Sequence, residues 1–179
     1  MRKRLLYLLV LTILFLGISP QVLAVDYIQG LQFVDNKIFE SLKVKYYGTR
    51  ITTDSANNFY VIGEMKDDDN GFTATIDIDL NSGVTEKTGS FYMAKYSSQK
   101  ELIWGYALGD HTNKVSTSGM GGIATDANNN VYITGTFRGT VDFDFSANTD
   151  NRTSLGGSDI FLMKINSDGS YAWTKVWGY

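Results

Sequence analysis

The chain has 179 residues, a formal net charge of −3, no cysteine and a single proline. Without cysteine it can form neither a disulfide nor the acylated cysteine of a lipoprotein. The acidic balance argues against nucleic acid as a partner, because phosphates are bound by clustered Lys and Arg. The length is typical of one domain, whose stability must come from burial and strand pairing.

The first 24 residues have the pattern of a cleaved secretory signal, which we expect to be helical. The parts occur in the usual order: the cations Arg2 to Arg4, the apolar run Leu5 to Ile18, then Pro20, and Ala24 before the cut. The apolar run is shorter than the roughly 20 residues of a membrane span. We therefore predict a mature chain that begins at Val25 and is periplasmic, on the cell surface or secreted.

An internal repeat is the most informative feature of the chain. Residues 51–63 (ITTDSANNFYVIG) match residues 123–135 (IATDANNNVYITG) at a constant offset of 72. Residues 91–96 match 160–165, and Trp104 matches Trp173, both at an offset of 69. Two long matches in the same order are hard to obtain by chance, so we predict two copies of one structural unit.

Each unit is predicted to form four antiparallel strands and no helix, because β-branched and aromatic runs alternate with turns rich in Asn, Asp and Gly. The predicted strands are 51–54, 59–63, 91–96 and 102–108 in the first unit, and 123–126, 131–135, 160–165 and 171–177 in the second. The expected organisation is a signal (1–24), a weakly defined segment (25–45), repeat 1 (46–109), a connection (110–122) and repeat 2 (123–179). The expected core contains Tyr60, Val61, Trp104, Tyr132, Ile133, Met163 and Trp173.

The second unit resembles the SBBP-type β-propeller repeat of exported bacterial proteins. The residues that carry this resemblance are DANNNVYITG (126–135), VDF (141–143), GSDIFLMKIN (157–166), Gly169, Trp173 and Gly178. The first unit departs from the pattern, with Phe59, Ser90 and Lys100 where the second has Val131, Asp159 and Gly169. The resemblance implies an all-β fold of two tandem four-stranded antiparallel propeller blades, together with export, but no catalytic residue.

Two blades form an incomplete propeller, because closed propellers have at least about four. Three explanations stay open: the chain is a fragment of a longer protein, several copies assemble, or the ends pair in another way. The fragment is favoured, since terminal repeats normally need a polar cap for solubility.

Several acidic residues are candidates for chemistry. The run Asp67 to Asp69 could ligate calcium, but it lacks the spaced pattern of a calcium loop and is interpreted as a solvated turn. The pairs Asp77/Asp79 and Asp142/Asp144 alternate with apolar residues in both units, which favours a structural role over acid–base catalysis. Asp54 and Asp126 are predicted to accept backbone N–H groups in equivalent turns.

The other candidates give equally modest predictions. A lone His111 cannot build a zinc site or a catalytic relay by itself, and is interpreted as a loop residue. Trp104, Trp173 and Trp177 could stack on a sugar, but the repetition of the first two favours packing between units. The pairs Gly121-Gly122 and Gly156-Gly157 lack the Lys of a phosphate loop. The sequence therefore predicts no catalytic residue, no cofactor and no metal site.

We accordingly expect an exported binding or structural scaffold whose partner is a protein or a glycan at the cell surface. The alternative is a part of a larger propeller enzyme of the glycan lyase or hydrolase type, with its catalytic residues outside this chain.

Overall fold

The computed structural model describes residues 47–66, 73–117 and 121–178, which all lie in one compact unit, Leu42–Tyr179. The described residues are all-β, as predicted: they form antiparallel sheets and turns and contain no helix. Accordingly, this part of the chain has no helix long and apolar enough to cross a membrane. The expected signal, the segment 25–45 and the run Asp67 to Asp69 lie outside the described residues.

The first unit forms a four-stranded antiparallel sheet in the order β1-β2-β5-β6. Its strands are β1 (Tyr47–Thr53), β2 (Phe59–Glu64), β5 (Phe91–Tyr96) and β6 (Leu102–Leu108). All four predicted strands are confirmed, with β1 beginning earlier than expected and ending one residue before Asp54. Aromatic and β-branched residues dominate the two central strands, as expected for positions that pack on both sides.

The second unit repeats this order with β9 (Val131–Phe137), β12 (Asp159–Ile165) and β13 (Tyr171–Trp177). The four strands predicted for this unit are all present, but the sheet has a fifth strand that was not predicted. Two short strands, β7 (Val115–Ser116) and β8 (Gly122–Thr125), both pair with β9, at its end and at its beginning. Together they take the position of β1 in the first sheet. In β1 the residues that pair with the end and the middle of β2, Tyr47 and Arg50, are three positions apart, whereas the corresponding residues of the second unit, Ser116 and Gly122, are six apart. The three additional residues divide the strand into two. The segment 110–122 is thus partly strand and not only a connection.

Each unit also carries a two-stranded hairpin that the sequence revealed only in part. The hairpins are β3 (Ala74–Asp77) with β4 (Glu86–Gly89), and β10 (Thr140–Asp142) with β11 (Asn151–Thr153). The segments 76–80 and 141–145, in which Asp77/Asp79 and Asp142/Asp144 alternate with apolar residues, supply part of one strand of each hairpin and the residues that follow it. Their apolar side chains are buried against the large sheets, with Ile76 and Ile78 packing in the first unit and Val141 and Phe143 in the second.

Strand pleating gives each large sheet two distinct faces. We call the side that carries Tyr60 or Tyr132 the tyrosine face, and the side that carries Val61 or Ile133 the hairpin face, because the hairpin packs there. Cross-strand partners share a face, so Lys95 and Trp104 lie with Tyr60. The tyrosine face of the first sheet packs on the hairpin face of the second and forms one shared core. Its members include Tyr60, Ile62, Phe91, Met93 and Trp104 from the first unit and Val131, Ile133, Phe143, Phe161 and Met163 from the second.

Four of the seven expected core residues are buried, and the other three are exceptions with a common cause. Tyr60, Trp104, Ile133 and Met163 are buried as predicted. Val61, Tyr132 and Trp173 are only partly buried, so the prediction was wrong for them. Val61 lies on the hairpin face of the first sheet, and the other two lie on the tyrosine face of the second. These are the two faces that the opposite unit does not cover.

Lys100 provides a test of how closely the two units match. It lies in the β5–β6 turn with φ 70°, where the second unit has Gly169 with φ 91°. A side chain is strained in this left-handed region, whereas glycine is not. We expect Lys100→Gly to raise the free energy of unfolding by about 0.5–1 kcal/mol, the strain relief less the entropy that glycine adds to the unfolded chain. Thermal or urea unfolding measures the change.

Gly169→Ala is the control with the opposite sign. It introduces strain at the equivalent turn, and an added Cβ would lie 2.7 Å from Trp104 Cδ1. Stabilisation by Gly169→Ala, or destabilisation by Lys100→Gly, would contradict the equivalence of the two turns.

Candidate functional site

Asp54 and Asp126 organise equivalent turns, as predicted. Asp54 Oδ1 accepts the N–H groups of Ala56 and Asn58, each at 2.9 Å. Asp126 Oδ1 accepts the N–H groups two and four residues further on at the same distance. In both turns an Asn three residues after the Asp has a left-handed φ, 60° at Asn57 and 61° at Asn129, a conformation that Asn tolerates.

The surroundings of these two carboxylates differ sharply. Asp54 Oδ2 lies 3.2 Å from Lys95 Nζ and accepts the Tyr60 hydroxyl at 3.0 Å, with the Asp54 and Lys95 side chains 1% and 8% exposed. Lys95 also lies over the Tyr60 ring. In the second unit Lys164 lies over the Tyr132 ring in the same way, but no other sheet of the described residues covers this cluster. The same polar group is therefore interior in one unit and peripheral in the other.

The acidic pairs in the hairpins hold their own loops together. Asp77 Oδ1 accepts the N–H groups of Asp79 and Thr85, and Asp142 Oδ1 accepts those of Asp144 and Asp150. Because the bonds recur at equivalent positions, a structural role explains both pairs, as the sequence interpretation had it.

A surface cleft of about 520 Å³ lies where the first unit meets two loops of the second. It is lined by Tyr106, Asp144, Phe145, Ser146, Asn148, Asp168, Gly169, Ser170 and Tyr171. The rings of Tyr106 and Phe145 stack with centroids 3.9 Å apart, and Tyr171 meets Phe145 edge-on at 5.9 Å. The wall of the cleft is therefore a continuous aromatic surface contributed by both units.

The rim of the cleft is polar and acidic. Asp168 Oδ1 accepts the N–H and hydroxyl of Ser170, and these hydrogen bonds hold the pKa of the Asp168 carboxyl below its usual range. Burial, and next the nearby charge of Asp168, raise the pKa of the Tyr106 hydroxyl. Tyr171 donates to Asp150, which also pairs with Arg152, and burial together with this bond raises the Tyr171 pKa. Among the described residues that line the cleft there is no Lys or Arg. The cleft offers hydrogen-bond acceptors around an apolar wall and does not favour anions.

The remaining candidates do not line this cleft. Trp104 packs in the shared core, whereas Trp177 is 52% exposed at the end of β13. His111 is exposed in the loop between β6 and β7. Within residues 47–66, 73–117 and 121–178, no group of three or more His, Cys, Asp or Glu side chains is arranged to hold a metal ion.

Sequence reasoning missed the aromatic residues of the cleft. Tyr106, Phe145 and Tyr171 stand where the other unit has Lys175, Leu80 and Leu102, so none of them is repeated. The cleft is formed by different parts of the two units, so its residues need not be repeated. In the sequence such a site is seen as a difference between the two repeats and not as a motif. A search for aromatic residues present in only one unit would have found all three.

Comparisons with known proteins assign no family to the chain. No family model, no curated protein and no solved structure matches it.

Proposed function

We propose that this chain is an exported, non-catalytic binding module, built from two blades of an SBBP-type β-propeller, that binds a neutral saccharide in the cleft between its units. The observation that carries the proposal is the aromatic wall of Tyr106, Phe145 and Tyr171 beside a rim of carboxylate, amide and hydroxyl groups. A sugar ring has an apolar C–H face and a border of hydroxyls, so it matches a surface of this composition. Export is supported by the pattern of residues 1–24, and the blade assignment by the repeated strand order.

The electrostatics of the rim support binding without chemistry. A general acid that cleaves a glycosidic bond needs a raised pKa, so that it is protonated when it acts. The pKa of Asp168 is shifted the other way by Ser170. Asp144 accepts the N–H of Ser146 and so holds the loop that forms one side of the cleft. Both carboxylates are suited to accepting hydrogen bonds from sugar hydroxyls.

Calorimetric titration with cellotetraose, xylotetraose, chitotetraose and mannotetraose tests the proposal. We expect at least one of these probes to bind saturably, and Asn148→Ala to weaken that binding about 3- to 10-fold, the loss of one hydrogen bond. Asn148 is exposed on the rim, so the substitution should leave the fold intact.

Asn151→Ala is the matched control, because Asn151 is exposed on β11 and does not line the cleft. It should bind like wild type. The proposal is wrong if no probe binds at millimolar concentration or if the two Asn variants behave alike. Release of shorter sugars from a bound probe would contradict the non-catalytic part.

A further inference from the structure

The two sheets differ in how deeply equivalent residues are buried. In the first sheet every residue of β5 is buried, whereas β12 alternates between buried and more accessible residues. Phe91, Met93 and Lys95 are buried on the tyrosine face of the first sheet, but their equivalents Ile160, Leu162 and Lys164 are not. The second sheet thus presents an uncovered copy of a surface that is interior in the first.

The hairpin face of the first sheet shows the reverse difference. Val131 and Ile133 of the second sheet are fully buried by the first unit. Their equivalents Phe59 and Val61 are only partly buried. On the same face of the first sheet Tyr92, Ala94 and Tyr96 are buried, so only its β2 side is accessible. The molecule therefore has two incompletely covered faces, this one and the tyrosine face of the second sheet, and each corresponds to one side of the shared core.

Polar contacts fix the alignment where the two units meet. The Thr125 hydroxyl donates to the Thr53 carbonyl at 2.9 Å, and Lys95 Nζ donates to the Ser167 carbonyl at 3.4 Å. Asn129 Oδ1 accepts the N–H of Ser55 at 3.2 Å and its hydroxyl at 3.0 Å. These contacts join residues that are 72 or 74 positions apart, so they follow the spacing of the repeat.

The groups needed for a second contact of this kind are present on the two incompletely covered faces. Thr53 stands at the position of Thr125, Asn57 at that of Asn129, and Ser98 at that of Ser167. On the tyrosine face of the second sheet, Lys164 is the equivalent of Lys95. Ala127 is the equivalent of Ser55 and provides a backbone N–H at the same position. Because Asn57 and Asn129 share the same left-handed conformation, the carboxamide acceptor is carried by the same turn in both units.

We propose that a second copy of this chain docks the hairpin face of its first sheet onto the tyrosine face of the second sheet, reproducing the interface between the two units. The two surfaces are different, so the contact is head-to-tail, and successive copies form a closed ring or an open chain. The apolar part of this face is Leu162, with Ile160 and Trp177 at 42% and 52% exposure, and Lys175 is the cross-strand partner of Leu162. A second copy of the chain is the expected partner, because it carries the same kind of surface that the first unit already packs against within the molecule.

Sedimentation equilibrium of the purified chain over the micromolar range tests this proposal. We expect the average mass to rise with concentration. Leu162→Arg should weaken the association about tenfold or more, because it replaces an apolar contact with a second cation beside Lys175. Thr53→Arg should act likewise from the opposite face. Asn151→Arg, on the exposed edge of a hairpin, is the control and should assemble like wild type, and circular dichroism checks that each variant is folded.

Mixing distinguishes a head-to-tail contact from a symmetric one. Leu162→Arg and Thr53→Arg should each be monomeric alone, yet a mixture should form a heterodimer, because each variant keeps the face that the other has lost. A monomeric wild type at all concentrations would overturn the proposal, as would a mixture that stays monomeric or a Leu162→Arg variant that assembles normally.

Position 100 differs between the internal contact and the proposed one in a way that a single substitution can test. Gly169 packs against Trp104, where an added Cβ would lie 2.7 Å from Cδ1, and Lys100 stands at the equivalent place. The Lys100 side chain would therefore crowd Trp173 of the neighbouring copy. Lys100→Gly should strengthen the association, and a weaker association of this variant would contradict the proposed alignment.

Discussion

Replacing Asp54 with alanine should lower the free energy of unfolding by about 3–5 kcal/mol, the usual cost of removing one partner from a buried ion pair. The reason is that Lys95, 3.2 Å away and 8% exposed, would be left charged in the interior between the two sheets. The same change also removes the acceptor for two backbone N–H groups and for the Tyr60 hydroxyl. Urea unfolding at neutral pH measures the loss.

Asp126→Ala is the matched control, because it removes the same hydrogen bonds to the turn but leaves no buried cation without its counter-charge. We expect a clearly smaller loss for this variant, and equal losses would contradict the distinction between an interior and a peripheral cluster. Any ligand binding should fall only in step with the folded fraction. A variant that stays as stable as wild type but loses binding would show that Asp126 has a direct functional role.

The pH dependence gives an independent check on Asp54. Burial raises the pKa of the Asp54 carboxyl, but hydrogen bonds from Asn58, Lys95 and Tyr60 outweigh it and hold the pKa below its usual value. The ionised carboxylate therefore stabilises the fold above the unfolded pKa of about 4, and this contribution is lost as the pH falls through the folded pKa. The stability difference between wild type and Asp54→Asn should be largest near neutral pH and should narrow by about pH 3. A difference that widens in acid would contradict the assignment.

Phe143→Ala should be comparably damaging, with an expected loss of about 3–5 kcal/mol for truncating a fully buried phenylalanine. Phe143 is 0% exposed and lies between Phe137 and Phe161, with ring centroids 5.3 and 5.1 Å away. It joins the hairpin of the second unit to the shared core, so its removal leaves a cavity that the rigid sheets cannot close. Thermal and urea unfolding report the change.

Phe145→Ala is the control, since Phe145 lies two residues further along the same segment and is only partly buried. Its loss of stability should be clearly smaller. Because Phe145 stacks on Tyr106 in the cleft, however, this variant should impair saccharide binding more than Phe143→Ala does in the fraction that remains folded. Equal stability losses for the two variants would contradict the packing described here.

The repeat made the main strands of the fold predictable, because each of the four predicted strands of a unit has a counterpart in the other unit. Residues 59–63 and 131–135 supported each other, and both became central strands. Short strands such as β4 and β7 were not predicted, since a few residues carry no periodicity of their own. The exposure of Val61, Tyr132 and Trp173 could not be predicted either, because alternation shows that a strand has two faces but not which neighbour covers each.

The candidate site was less predictable than the fold. The turn role of Asp54 and Asp126 followed from local residue chemistry, in which Asp accepts nearby backbone N–H groups. The Asp54–Lys95 pair joins the turn after β1 to strand β5, and the cleft joins Tyr106 to two loops of the other unit. Such contacts depend on how the sheets pack, which no local pattern encodes.

Because the two units share one core, they should remain associated even when the chain between them is cut. Their association depends on side chains from both sheets, whereas the exposed loop Gly109 to Lys114 contributes little burial of its own. A protease cut beside His111 would therefore leave two fragments that remain bound to each other as one folded protein. Separately expressed, each fragment would expose half of the core and would depend on its complement for solubility.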